Sequence, residues 1–162
     1  MTSTEDMQEI TAYHESGHAI AAAIAGGIVR RVSIECEQQG RSGDTMIQWP
    51  RSNFTEQEHA LREIRVSLAG PICEAIHVGD YDCLRIEHAH AMDWETAQVS
   101  VSKLTSDPHK QSAIIQQEAT SLYQYFRQDT VWAAVAAFAD ELLAHETVEH
   151  DTVEAIVNQW LT

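Results

Sequence analysis

Basic residues are scarce in this chain. Lys103 and Lys110 are its only lysines, 10 Lys and Arg face 25 Asp and Glu over 162 residues, and the formal net charge is -15. With no basic cluster to neutralise a phosphate backbone or an anionic bilayer, neither nucleic acid nor a lipid surface is an expected partner. Long apolar runs are missing too. The stretch from Ala19 to Val29 is cut by Gly26-Gly27 and falls short of the roughly 18 to 20 residues that span a bilayer, so no membrane segment is expected. Glu5, Asp6 and Glu9 stand where a secretory leader would need a basic patch followed by an apolar run. Cysteine is limited to Cys36, Cys73 and Cys83, an odd number with no CxxC spacing. That excludes a disulfide framework and a cysteine-zinc knuckle, and it suits a reducing, cytoplasmic setting. No repeat, low-complexity tract or linker divides the chain, so residues 1–162 read as one domain, and 44% hydrophobic content is enough for a sizeable core.

What is present is organised around a five-residue pattern. His14, Glu15, Ser16, Gly17 and His18 spell His-Glu-x-x-His inside an alanine-rich run that should be helical. Positions i and i+4 share a helix face, so both imidazoles can reach one metal ion while Glu15 leans over the edge of the site. At 100° per residue, Ile10, Tyr13, His14, Gly17, His18, Ala21 and Ile24 fall on one side, with Glu15 just outside that arc. Two inward histidines one turn apart beside a carboxylate predict a zinc hydrolase more readily than two core histidines satisfied by ordinary hydrogen bonds.

The rest of the chain predicts a mainly α (α+β) fold. Ser3 or Thr4 caps the first helix and Gly26-Gly27 stops it. Ile28 to Cys36 and Thr45 to Trp49 read as two short strands, a small hairpin or sheet in the N-terminal third. Thr55 to Glu58 has capping-box spacing and opens a helix toward Gly79, bent or broken near Gly70-Pro71. Further helices are expected over about 84–106, from Asp107-Pro108 to about Arg127, over about 130–145, and from a cap at Asp151 to about Leu161.

A catalytic zinc takes three protein ligands and keeps a position for water, so a third ligand must come from elsewhere. On the wheel of the 86–104 helix, Ile86, Ala89, Trp94, Ala97, Val101 and Leu104 define an apolar arc, and two polar side chains fall inside it, His90 and Asp93. A carboxylate aimed at a core is costly unless paired or bound to metal, which favours Asp93. His90 is the alternative ligand, or a group that orients Asp93.

The stretch Thr11 to Ala19 resembles the zinc-binding helix of the FtsH family of membrane-anchored AAA-type zinc proteases. The resemblance continues in order through Val32-Ser33-Ile34, Asp44 to Pro50, Leu68 to Gly79, Asp93 to Ala97 and Leu142 to Val148, the last matching a closing helix and turn. It implies His14, His18 and Asp93 as Zn2+ ligands, Glu15 as the catalytic general base, and Glu74 as an acidic group near the metal. The chain departs from the family at Pro71-Ile72 and over Tyr81 to Ala91. No GxxxxGK[ST] occurs, so the peptidase part alone is expected, lacking the ATPase domain and the membrane anchor. The implied activity is ATP-independent hydrolysis of flexible or unfolded polypeptides, with peptide paired along the strand at Thr45 to Trp49. The family's rings imply that a homo-oligomer is an option. The competing expectation is a non-catalytic zinc-binding adaptor or regulatory domain on the same fold.

Overall fold

Ser3 opens helix α1, Thr4–Ile24: its hydroxyl accepts the Asp6 N–H and the Asp6 carboxylate accepts the Ser3 N–H, both at 3.1 Å. This reciprocal box satisfies two of the amide donors that a helix start leaves without partners. Gly26, at φ 88°, ends the helix in the left-handed conformation that glycine adopts without strain. The computed structural model describes residues 3–35, 43–80 and 90–162.

Beyond the turn, strand β1 (Ile28–Ser33) pairs antiparallel with β2 (Asp44–Gln48), setting Val32 opposite Thr45 and Val29 opposite Ile47. A third strand, β3 (Thr147–Glu149), pairs antiparallel with the other side of β1, giving the order β2-β1-β3. The closing segment expected to be helix and turn is therefore helix, one left-handed residue (Glu146, φ 63°), then strand. Among the described residues β2 is paired on one side only.

Helix α2 (Glu56–Val78) starts with the predicted box, Thr55 with Glu58, and stops at Gly79, φ 77°. It runs unbroken through Gly70-Pro71, so of the bend or break expected there the break does not occur. Pro71 removes the donor that would serve the Ser67 carbonyl. Yet Leu68, Ala69, Ile72 and Cys73 on either side are fully buried, and tertiary packing of that face holds the helix together. Four helices follow: α3 (Ala91–Ser102), α4 (Pro108–Phe126), α5 (Asp129–His145) and α6 (His150–Leu161). The start expected for α3 near Leu84, with Ile86 and Ala89 of its wheel, lies outside the described residues. Helix α6 begins one residue before Asp151, with Glu149 at the cap position, so Asp151 sits in the first turn, where the helix dipole favours an acid.

The six helices of the described residues and the short sheet make the mainly helical architecture that the patterning predicts. Helix α1 is its hub, packing against α2, α5, α6, β1 and β2. From Glu15 to Ala22 every residue of α1 is buried, so the expectation of one inward face gives way to a helix enclosed on all sides. Small side chains permit this. A Cβ at Gly17 would lie 2.5 Å from the Ala69 carbonyl oxygen and 2.9 Å from Cys73 Sγ, so α1 and α2 touch nearly backbone to backbone. Ile20, Ile64, Leu68, Ile72, Phe126 and Phe138 fill the rest of the core. No helix among the described residues is long and apolar enough to cross a membrane.

Candidate metal centre

The close seam between α1 and α2 decides how the two histidines point. His18 Nδ1 donates to the Val66 carbonyl of α2 at 2.7 Å, and His14 Nδ1 donates to Glu74 Oε2, also on α2, at 2.9 Å. A carbonyl and a carboxylate can only accept, so each ring carries its proton on Nδ1 and turns Nε2 the other way. Gly70 makes the approach feasible, because a Cβ there would intrude on the His18 ring.

The two Nε2 atoms consequently face each other at 3.0 Å. Asp93, in the first turn of α3, closes the triangle: Oδ2 lies 3.1 Å from His14 Nε2 and Oδ1 lies 3.4 Å from His18 Nε2. Two imidazole nitrogens and the two oxygens of one carboxylate at such separations repel unless a cation stands among them. A proton can serve. Burial by itself would lower the His14 pKa, but hydrogen bonds to Asp93 and Glu74 and the nearby charge of Glu15 raise it to about 10. Burial pushes the Asp93 carboxyl up, and the two imidazoles more than offset this and hold it well below its ordinary value. A metal fits the same place. Zinc with ligand distances of about 2.0–2.1 Å has tetrahedral ligand-to-ligand edges of about 3.3–3.4 Å, close to the separations found here.

Glu15 is buried on the other side of the site. Its Oε2 accepts the Thr45 hydroxyl of β2 at 2.5 Å, and Gly43 lies so near that a Cβ there would come within 2.7 Å of Glu15 Cγ. One carboxylate oxygen is thus committed to the strand. His90, at the cap position of α3, places Nε2 3.4 Å from Glu74 Oε2, and its ring centroid 5.0 Å from that of His14. Burial lowers the His90 pKa, against the opposing pull of the Glu74 charge.

The structure thus gathers His14, His18 and Asp93 around one point, with Glu15 alongside and Glu74 behind His14. His90 stands behind them, against Glu74, and not at the triangle. Sequence reasoning missed Thr45, the Val66 carbonyl and the two glycines. Thr45 alone carried a usable signal, an inward hydroxyl on a strand whose other inward residue, Ile47, is apolar.

The sequence model of peptidase family M41 matches residues 1–84, a span that includes His14, Glu15, His18, Thr45 and Glu74 and ends before Asp93. Comparison with curated proteins gave no match.

Proposed function

The chain belongs to peptidase family M41, and we propose that it is a zinc-dependent endopeptidase acting on flexible or unfolded polypeptides without hydrolysing ATP. His14, His18 and Asp93 would hold the ion. The observation that carries this reading is the 3.0–3.4 Å triangle of two imidazole nitrogens and one carboxylate, with both Nδ1 protons already committed elsewhere. When bound, zinc supplies Lewis acidity, making water nucleophilic near neutral pH and polarising the scissile carbonyl.

The remaining work falls to the chain's own side chains. Glu15, its Oε2 tied to Thr45, has Oε1 left to take the proton of the attacking water. The water oxygen bonds to the carbonyl carbon, the C–N bond breaks, and Glu15 passes the proton to the departing amine. Glu74 and the Val66 carbonyl hold the two imidazoles by their far nitrogens, which fixes ring orientation and raises ligand basicity. The side of β2 left unpaired among the described residues supports binding of an extended peptide by backbone hydrogen bonds, with little demand on its sequence. The cytoplasm is the proposed site of action, in keeping with Cys73 buried as a free thiol. Assembly into a homo-oligomer is compatible with this reading and is not required by it.

The test is Glu15→Gln. It should keep one equivalent of zinc while casein hydrolysis falls by about 10²- to 10⁴-fold, the usual contribution of a positioned acid-base group. Undiminished hydrolysis would remove Glu15 from the mechanism. A wild-type protein that binds zinc and cleaves no denatured substrate would support the adaptor reading instead.

A further inference from the structure

Asp93 sits a turn ahead of the fully buried part of its helix, next to Trp94, which is partly buried against the core. The buried residues of α3 are Ala97, Ser100 and Val101, all at least one turn beyond Asp93, and the helix start receives no side-chain cap. The residue at that cap position is His90, whose carbonyl accepts the Trp94 N–H at 2.9 Å, so its backbone begins the helix. Its side chain does not cap. It reaches across to α2 and places Nε2 3.4 Å from Glu74 Oε2, the same oxygen that receives His14 Nδ1–H at 2.9 Å. One carboxylate oxygen on α2 therefore meets an imidazole from α1 and an imidazole from the first residue of the α3 segment.

We propose that His90 is a positioning residue, a latch that ties the start of α3 to Glu74 and so sets Asp93, three residues on, against His14 and His18. The inference rests on the zinc-site reading above and deepens it. Backbone geometry makes the lever short. Once the His90 carbonyl accepts the Trp94 N–H, the residues between them are fixed in one helical turn, and Asp93 has little freedom left. A second ion held by His14, Glu74 and His90 is the other arrangement that this cluster allows. It would demand both ring nitrogens of His14, one of which faces Asp93 and His18, and a deprotonated, bridging imidazole is a far harder requirement than a latch.

The full-length protein, freed of metal, is titrated with Zn2+ against a competing chelator, alongside His90→Ala and His90→Gln. The latch predicts one equivalent in all three, affinity about 10- to 100-fold weaker in His90→Ala, as is usual when a group that orients a ligand is lost, and an intermediate value in His90→Gln, whose amide can reach Glu74 as a donor. Unfolding of the metal-free proteins should coincide, which separates a latch from a general loss of structure. With Co2+ in place of zinc, the visible spectrum of His90→Ala should move toward higher coordination as Asp93 yields to water. Wild-type affinity and spectrum in His90→Ala would overturn the latch and leave the zinc site standing. Two equivalents in the wild type and one in His90→Ala would also overturn it, by making His90 a ligand. Full zinc affinity in His14→Ala would instead remove the zinc-site reading itself.

Discussion

The seam between α1 and α2 and the first turn of α3 supply the same triangle by different physics. In the seam, His14 and His18 stand on a helix enclosed by the core, their rings fixed by partners on α2 and given room by Gly70. The His18 side chain is 10% exposed, whereas Asp93 is 24% exposed and precedes the buried part of its helix by a turn. Two arms of the triangle are built into the core, then, and the third is delivered at a helix start, by polar contacts and the partly buried Trp94 beside it. Damage in the seam should cost folding and metal together, while damage at α3 should cost metal alone.

The largest expected effect comes from breaking the seam with Gly70→Ala. Alanine in place of a helical glycine normally gains about 1 kcal/mol. Here the new methyl group intrudes on the His18 ring. Overpacking of a tight core costs about 1–3 kcal/mol, so the clash should win and the sign should reverse. Urea unfolding of the metal-free variant should show the loss, and zinc titration should show affinity reduced by more than that of His90→Ala. A variant more stable than wild type and with unchanged zinc affinity would mean that the seam is looser than its geometry implies.

A second test sharpens the comparison through pH. In the metal-free protein the proton on His14 stands in for the ion. Its raised pKa, about 10, gives stability that is complete below the unfolded-state value of about 6.5 and is lost as pH rises through 10. Asp93 runs the opposite way: with its pKa lowered, its contribution is present above about 3.9 and is lost as pH falls below that. Thermal unfolding of the metal-free protein should therefore weaken steadily from pH 6.5 to 10. His14→Gln should weaken less over the same window, and bound zinc should flatten the slope by replacing the proton. Equal slopes in wild type and His14→Gln would show that no proton is shared in the triangle.

The same division explains what could be read from the sequence. Local signals were reliable: the caps at Ser3, Thr55 and Asp107 stand where the letters place them. The spacing of His14, Glu15 and His18 was legible because helix geometry is local, and Asp93 emerged as an acid on an apolar arc. Strand β3 was not legible. Three residues are too few to show alternation, and Val148 finds Val32 more than a hundred residues away in the chain. Gly70-Pro71 read as a bend or break because proline removes a helical hydrogen bond, a local cost that burial of the flanking residues overrides far enough to keep the helix continuous. The Val66 carbonyl carries no side-chain signature at all, since any residue there offers the same oxygen.

The smallest effect tests whether β2 serves the acid-base group without serving the metal. Thr45 donates to Glu15 and touches none of His14, His18 or Asp93 within hydrogen-bond reach. Thr45→Val keeps the shape and deletes the donor. A hydrogen bond to a charged group contributes about 1.5–3 kcal/mol to stability. If a part near 1.4 kcal/mol is felt at the barrier, hydrolysis falls about tenfold, since about 1.36 kcal/mol is a factor of ten in rate. That is well short of the loss from Glu15→Gln. Thr45→Ser should restore the rate, and zinc affinity should stay at the wild-type value in both. Weaker zinc in Thr45→Val would mean that the strand helps to shape the triangle through Glu15, and the clean separation between a metal held by helices and a base held by the sheet would be lost.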